Sequence, residues 1–172
     1  MKILITGVQG SGKTVVSRAL KELGYNALDT DEISEWINTT TGQPIGVSRT
    51  KNSTRQWLSE HAWMFNKEKL TQVISQDKDV LLCGVAKNQE DYYKYFDKII
   101  YLYIDLDTVQ KRIATRDTGS FGKHPHERDY ILQNAELIYK NAHAPNAVII
   151  DATRPLKKVV DDISALIPTV GA

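Results

Sequence analysis

Eight residues near the start of the chain constrain its fold more than any other feature. Residues 7–14 read GVQGSGKT, a complete match to the pattern G-x-x-x-x-G-K-[ST]. The apolar run 3–6 precedes them, and a helical pattern with Val16 and Leu20 on one face follows directly. This strand–loop–helix context is typical of a phosphate-binding loop, because its glycines let backbone N–H groups turn inward around the anion. The spacing and both flanks disfavour the alternative, a glycine-rich turn that binds no ligand.

The residues of this loop predict contacts with Mg·ATP. Lys13 is expected to reach the β- and γ-phosphates, and the Thr14 hydroxyl is expected to coordinate Mg²⁺. Backbone amides along the loop are expected to surround the phosphates. The remaining residues expected to bind the nucleotide are Gly7, Gly10, Ser11, Gly12 and Val15. ATP and Mg²⁺ are therefore the expected cofactors.

Composition narrows the class of protein further. The 172 residues suffice for a single domain over 1–172, and 22 basic residues nearly cancel 21 acidic ones, so nucleic acid is not an expected partner. The single cysteine, Cys83, lies in an apolar stretch and fits a reducing compartment. No apolar run approaches the roughly 18 residues that span a bilayer. We therefore expect a soluble, cytoplasmic monomer or homodimer that binds no membrane.

Apolar strands alternate with helical patterns along the chain. Four of the predicted strands are nearly continuous apolar runs, as expected of strands buried on both faces. This alternation predicts an α/β fold with helices on both faces of a parallel sheet, and ligands beyond the carboxyl ends of the strands. Strands are predicted at 2–6, 25–28, 79–83, 98–104 and 147–150, and helices at 13–23, 30–38, 54–76, 88–95, 106–116, 126–142 and 155–166.

Two segments do not fit a minimal sheet. Residues 39–53 are rich in Thr, Ser, Gly and Asn without an apolar period, and residues 117–127 contain two glycines beside several charged residues. Both are predicted to be mobile flaps. Arg49 and Arg55 lie in or beside the first flap, and they are the cations expected to contact an anionic acceptor. A solvated cluster of charges is the alternative for this pair.

An acidic pair follows the second predicted strand. Asp29 and Asp31 lie at the sheet edge where ligands bind, and a D-x-D on extended chain points both carboxylates to one face. One carboxylate would hold Mg²⁺ and the other would accept a proton from an attacking hydroxyl. We assign Asp29 to the metal and Asp31 to the hydroxyl, and one residue of register would exchange them. The alternative is helix capping by Thr30 or Asp31.

Two arginines share one face of the predicted helix 106–116. Arg112 and Arg116 lie four residues apart, directly before the second flap. Since guanidinium groups stack on planar rings and fork onto phosphates, we expect Arg112 against the nucleotide base and Arg116 at the transferring phosphoryl group. The alternative is a solvated basic face that pairs with Asp105 or Asp107.

These motifs together resemble the P-loop small-molecule kinases, the group of shikimate, gluconate and nucleoside or nucleotide kinases. The resemblance extends over nearly the whole chain, and its last motif is IDATRP over 150–155. It implies a five-stranded sheet in the order 2-3-1-4-5, an acceptor-binding flap over about 39–76 and a closing lid over about 117–127. It also implies that adenine lies between Arg112 and the loop 152–155, which makes Thr153 and Pro155 nucleotide contacts.

The chain also departs from each member of that group. Shikimate kinases carry three glycines after the third strand, where this chain has Cys83-Gly84-Val85, so Gly84 is the candidate acceptor contact there. The predicted function is transfer of the γ-phosphoryl group of ATP to a hydroxyl of a small acceptor, with Lys13, Asp31 and Arg116 as catalytic residues. A nucleoside-monophosphate kinase and a nucleotide-binding regulator with slow hydrolysis are the alternatives.

Overall fold

A five-stranded parallel sheet forms the centre of the computed structural model, which describes residues 1–45, 53–76, 78–115, 121–140, 144 and 146–167. Two predicted site residues, Arg49 and Arg116, lie outside these ranges, as do parts of both predicted flaps. In the part of the chain that is described, no helix combines the length and the apolar character that crossing a membrane requires.

The described elements alternate between strands and helices, with one antiparallel hairpin inserted. The strands are β1 (Lys2–Thr6), β2 (Ala27–Asp29), β3 (Ser34–Asn38), β4 (His61–Phe65), β5 (Val80–Cys83), β6 (Lys98–Tyr103) and β7 (Ala147–Asp151). The α-helices are α1 (Lys13–Glu22), α2 (Arg55–Glu60), α3 (Lys67–Ile74), α4 (Leu106–Ala114), α5 (Pro125–Lys140) and α6 (Leu156–Ala165), and two 3₁₀ helices occupy Thr30–Glu32 and Gln89–Tyr95.

The strand order of the main sheet is β2-β5-β1-β6-β7. Since β3 and β4 form a separate hairpin, numbering the strands of the main sheet alone gives 2-3-1-4-5, and the predicted order is confirmed. Every pairing is parallel, and Leu4 of β1 aligns with Leu82 of β5 on one side and with Ile99 of β6 on the other. The carboxyl ends of all five strands therefore meet at one edge, with the loop after β1 at its middle.

Alternate residues of β1 pack into two different layers. Ile3 and Ile5 belong to the apolar cluster that contains Val16 and Leu20 of α1, together with residues of α6. Leu4 points the other way, into the cluster that contains Leu70 of α3. A strand that is apolar on both faces must be covered on both faces, so the continuous apolar run of β1 correctly predicted a central strand in a three-layer α/β/α fold.

The hairpin of β3 and β4 replaces parts of two predicted helices, and both of those predictions are wrong. Residues 30–38 form a 3₁₀ turn and then β3, while residues 54–76 form α2, β4 and α3 in succession. The helical spacing of apolar residues suggested one continuous helix over 54–76, but Trp63 pairs with Trp36 across the hairpin. Aromatic cross-strand pairs stabilise such a ladder, and this tertiary contact outweighs the local helical pattern.

The other predicted elements agree with the structure to within about two residues at each end. Side-chain caps explain where the helices beside the hairpin begin. The Thr54 hydroxyl accepts a hydrogen bond from the Trp57 amide at 3.1 Å, and Asn66 Oδ1 accepts one from the Lys69 amide at 2.9 Å. Because each cap satisfies an amide that lacks a partner within its helix, α2 and α3 begin separately, on either side of β4.

Candidate active site

A cleft of about 1740 Å³ opens at the sheet edge where the strands end. The loop after β1 lies at its middle. Loops after β2 and β5 lie on one side, and loops after β6 and β7 lie on the other, because the strand order places them there. Sites for one small ligand occupy roughly 300–1,000 Å³. The cleft therefore has room for a nucleotide and a second small molecule together.

The loop between β1 and α1 has the backbone geometry of an anion cradle. Gly10 and Gly12 have φ angles of 89° and 98°, in the left-handed region that favours glycine. The Lys13 ammonium group folds back over the loop, where Nζ donates to the carbonyl oxygens of Gly7 and Val8 at 2.8 Å each. The ammonium group is thus held above the loop, beside the site where a phosphate group would enter.

The N-terminus of α1 is open to an anion. No side chain caps it, and its first turn carries no acidic residue. By contrast, Asp105 caps α4, where its Oδ1 accepts from the Thr108 amide at 2.7 Å. Hydrogen bonds from the Thr108 amide and hydroxyl lower the pKa of Asp105 below its ordinary value. The uncapped amides of α1, the Lys13 ammonium and the Thr14 hydroxyl form a donor set that fits a phosphate group and its metal.

The acidic pair combines both roles that the sequence allowed. Asp29 ends β2 and caps the 3₁₀ turn after it, since its Oδ1 accepts from the Asp31 amide at 3.0 Å. Both Asp29 and Asp31 line the cleft, as do Lys13 and Thr14. The capping bond fixes the turn, and the turn presents both side chains to the cleft that holds the anion cradle.

Gly84 supports this acidic turn from the neighbouring strand. A Cβ atom at Gly84 would lie 1.5 Å from Oγ1 of Thr30, a residue that is 1 % exposed. No side chain can be accommodated at this position unless Thr30 moves, because the contact is far shorter than any van der Waals distance. The glycine therefore lets the loop after β5 approach the Asp29-Thr30-Asp31 turn, which fixes the position of the acidic pair.

Arg112 links the anion cradle to the loop after β7. Its guanidinium group donates to the carbonyl oxygen of Gly10 at 3.2 Å and to that of Ala152 at 2.9 Å. In the loop after β7, the Thr153 amide and hydroxyl both donate to Asp151 Oδ1. These hydrogen bonds lower the pKa of the Asp151 carboxyl. Arg112 and the loop after β7 thus form one side of the cleft, next to the anion cradle.

Four aromatic side chains form a continuous wall that lines the cleft. Trp36 lies 5.6 Å from Trp63 and 5.8 Å from Phe121, measured between ring centroids. Phe121 in turn lies 5.9 Å from Tyr130 of α5, with the two rings perpendicular. All four line the cleft, and we call them the aromatic wall. The hairpin supplies two of its rings, and the segment that begins α5 supplies the other two.

A buried carboxylate joins the two segments that carry the aromatic wall. Glu127 is 2 % exposed, and its oxygens accept hydrogen bonds from the Ser53 hydroxyl and from the amides of Gly122 (3.0 Å) and His124 (3.1 Å). Burial alone raises the pKa of Glu127, but these hydrogen bonds outweigh it and hold the pKa below its ordinary value. Glu127 is therefore ionised at neutral pH and links residue 53, which precedes α2, to the turn at 122–124.

Comparisons with known proteins agree with this geometry. A model of the AAA domain family matches residues 3–133, which is most of the chain. This chain belongs to the AAA domain family. The shikimate kinase of Bacillus cytotoxicus is 27 % identical over 169 residues and covers 94 % of both chains. The predicted resemblance to the P-loop small-molecule kinases is confirmed.

Solved structures share the fold of this P-loop kinase. A shikimate kinase from Bacteroides thetaiotaomicron superposes with a TM-score of 0.63 at 18 % identity, covering 96 % of this chain and 97 % of that one. A deoxyadenosine kinase from M. mycoides with bound dATP superposes with a TM-score of 0.60 at 18 % identity, covering 96 % and 98 %. At this level of identity the two structures establish the shared fold alone.

The structure brings most of the predicted site residues of this P-loop kinase to one cleft. Three of the predicted residues do not line the cleft: Gly7, Thr153 and Pro155. Arg55 lies in an exposed ion pair with Asp129 of α5, Nη2 to Oδ2 at 2.5 Å, and also does not line the cleft. The predicted residues that line it are Gly10, Ser11, Gly12, Lys13, Thr14, Val15, Asp29, Asp31, Gly84 and Arg112.

Sequence reasoning missed the aromatic wall and Glu127. A signal for the wall existed, because three tryptophans lie within residues 36–63, which is all the tryptophan in the chain. The prediction of one helix over 54–76 left no hairpin in which Trp36 and Trp63 could pair. No local pattern distinguishes Glu127 from other acidic residues in a first helical turn, since its role depends on Ser53, more than seventy residues earlier.

Proposed function

We propose that the protein transfers the γ-phosphoryl group of Mg·ATP to a hydroxyl group of a small-molecule acceptor. The observation that carries the proposal is the shared cleft, which is lined both by the anion cradle of residues 10–14 and by the acidic pair Asp29 and Asp31. A nucleotide-binding regulator would need only the anion cradle. The second half of the cleft, with its acidic pair and aromatic wall, supports a reaction between two bound substrates.

The nucleotide half of the cleft binds and neutralises the phosphates. Lys13 exchanges its two carbonyl partners for oxygens of the β- and γ-phosphates, and the uncapped amides of α1 complete the cradle. The Thr14 hydroxyl and the Asp29 carboxylate would hold Mg²⁺, which supplies charge neutralisation on the phosphate oxygens when bound. Arg112 and the loop after β7 form the side of the cleft assigned to the base.

The acceptor half of the cleft orients the attacking hydroxyl. Asp31 accepts the hydrogen bond of this hydroxyl and takes its proton as the oxygen bonds to the γ-phosphorus. The bond from that phosphorus to the bridging oxygen breaks, and the oxygen leaves with ADP. Arg116, four residues after Arg112, is the proposed cation at the transferring group. Positioning and electrostatic stabilisation supply most of the rate enhancement in phosphoryl transfer. A turn that holds Asp29 and Asp31 in fixed positions would contribute to both.

The proposal is tested by the acceptor-dependent release of ADP, with the phosphorylated product identified by mass. Asp31→Asn removes the proton acceptor but keeps the size of the side chain, so we expect a loss of transfer of roughly 10²-fold or more. The affinity for ATP is expected to stay within about twofold, because the variant leaves the cradle intact. Asp161→Asn, in an exposed ion pair with Lys157 on α6, is the matched control.

Three outcomes would contradict the proposal or a part of it. One is full transfer by Asp31→Asn with unchanged product, which would exclude Asp31 as the proton acceptor. Another is tight binding of ATP with no transfer to any hydroxyl compound, which would favour the nucleotide-binding regulator. Transfer to a nucleoside monophosphate but to no free hydroxyl compound would instead favour the monophosphate kinase.

A further inference from the structure

The aromatic wall lies in the half of the cleft that faces the acidic turn. Trp36 and Trp63 come from the hairpin between β2 and β5, the two strands whose loops carry Asp31 and Gly84. Arg112 and Ala152, which form the opposite side, follow β6 and β7. Trp36 and Trp63 are therefore on the acceptor side of the anion cradle, and Phe121 continues the wall from Trp36. The ring of the ATP base is assigned to the side of Arg112 and Ala152.

The aromatic wall is suited to contact a planar ring rather than a polar, flexible molecule. Its rings contact one another edge to face or at a tilt, with interplanar angles of 61° for Trp36 and Trp63 and 52° for Trp36 and Phe121. Such packing holds the rings in fixed positions, with Trp36 buried at 9 % exposed behind its neighbours, while all four side chains line the cleft. Aromatic side chains of this kind bind planar rings by stacking, at a low cost in conformational entropy.

Carboxylates outnumber lysines among the described residues that line the acceptor side. In the described part of that side, Asp31, Glu32 and Glu90 line the cleft, whereas the cations there are Lys87 and Lys123. Glu127 adds a fourth carboxylate, which its three hydrogen bonds hold in the ionised form. Among the described residues of that side carboxylates outnumber ammonium groups, so this part of the lining favours an acceptor without a carboxylate of its own.

We propose that the acceptor is a nucleoside, an uncharged planar heteroaromatic ring joined to a sugar that carries the reacting hydroxyl. The ring contacts the aromatic wall, and the sugar hydroxyl reaches Asp31. This inference rests on the proposed function, because it names the acceptor of the same transfer. It differs from the substrate named for the shikimate kinases that the sequence matches, because the acceptor side is lined by aromatic rings and carboxylates.

Two measurements on the full-length protein with Mg²⁺ test the inference. The first compares acceptor-dependent ADP release for the common ribo- and deoxyribonucleosides with that for shikimate and gluconate. The second is equilibrium dialysis of radiolabelled nucleosides in the presence of a non-hydrolysable ATP analogue, which measures binding whether or not transfer follows. We expect at least one nucleoside to bind and to be phosphorylated, and both acids to be poor acceptors.

Variants of the wall supply the residue-level test. Trp63→Ala is expected to raise the KM for the nucleoside roughly tenfold to a hundredfold, with a smaller change in kcat and with the KM for ATP within about twofold. Trp63→Phe should restore most of the loss. Phe121→Leu tests the wall from its other segment, in case Trp63→Ala unfolds the hairpin. Tyr95→Ala is the control, because Tyr95 is an exposed aromatic residue that does not line the cleft.

The outcomes separate this inference from the proposed function. Phosphorylation of shikimate or gluconate, with no nucleoside bound in dialysis, would overturn the inference and leave the proposed function standing. Binding of a nucleoside that the wall variants weaken, with no transfer to any compound, would support the ligand class and overturn the proposed function. A nucleoside KM that is unchanged in both Trp63→Ala and Phe121→Leu would overturn the assignment to the wall.

Discussion

The two halves of the cleft are built in different ways. The phosphate site of the nucleotide half is mainly backbone, from the contiguous residues 10–14 and the open N-terminus of α1, with Arg112 and the loop after β7 beside it. The acceptor half is assembled from four separate segments: the turn after β2, the hairpin, the residues after β5, and the residues from Phe121 onward. A site made of contiguous backbone suits a group that every substrate shares, the phosphate. A site assembled from distant side chains can change its ligand without changing the fold.

The largest expected effect breaks the nucleotide half. Lys13→Ala removes the ammonium group that now bonds the carbonyls of Gly7 and Val8, so the cradle loses its mobile cation. We expect kcat/KM for transfer to fall by roughly 10²-fold or more, since the lost charge stabilises the transferring phosphoryl group. Steady-state kinetics with the best acceptor measures this.

Lys69→Ala on the exposed face of α3 is the matched control for that variant. The affinity for the acceptor alone should survive Lys13→Ala, because the acceptor half is built from other segments. A parallel loss of acceptor binding would show that the two halves are one coupled unit rather than two independent sites.

The next largest effect is expected from a substitution at Gly84, which supports the acidic turn. Gly84→Ala places a Cβ where Thr30 now lies, so the turn that holds Asp29 and Asp31 must shift. We expect a destabilisation of about 1–3 kcal/mol, seen as a Tm lower by roughly 2–12 °C, together with a fall in kcat that exceeds the change in ATP affinity. A variant with unchanged Tm and kcat would show that the close approach of Gly84 and Thr30 is dispensable.

The same division explains what the sequence could predict. Residues 7–14 and the apolar strands could be read from local patterns, because each depends on neighbours in the chain. The strand order followed from the resemblance to the P-loop small-molecule kinases. The β3–β4 hairpin could not, since Trp36 and Trp63 find each other only after the chain has folded. For the same reason the aromatic wall went unrecognised, although Asp31 and Gly84 of the acceptor half were predicted. The predicted cations Arg49 and Arg55 were chosen by sequence position rather than by contact.

A smaller effect is expected at the link between the two segments of the aromatic wall. In Glu127→Gln, the amide NH₂ group of glutamine cannot accept one of the hydrogen bonds that Ser53, Gly122 and His124 now donate. We expect a loss of about 1–3 kcal/mol in stability and a higher KM for the acceptor, with little change in the KM for ATP. Asp129→Asn, two residues further along α5, is the control.

The pH dependence of that variant has a definite sign. The pKa of Glu127 lies below its ordinary value of 4.5 in the folded protein, so ionised Glu127 stabilises the fold at any pH above that value. The stabilisation is lost as pH falls through the folded pKa. The difference in unfolding free energy between the wild type and Glu127→Gln should be constant at neutral pH and shrink below about 4.5. A difference that grows on acidification would contradict the ionised assignment.

The smallest effect is expected from a substitution at Arg55, which tests whether this residue belongs to the acceptor half. Arg55 was chosen from the sequence as an acceptor contact, but its guanidinium group pairs with Asp129 at 2.5 Å on an exposed surface. Exposed ion pairs contribute about 0.2–1 kcal/mol, so Arg55→Ala should lower the Tm by at most roughly 4 °C. We expect the KM for the acceptor to stay within about twofold in initial-rate kinetics. An increase of tenfold or more would assign Arg55 to the acceptor half, because it would mean that Arg55 leaves Asp129 to contact the acceptor when the cleft is filled.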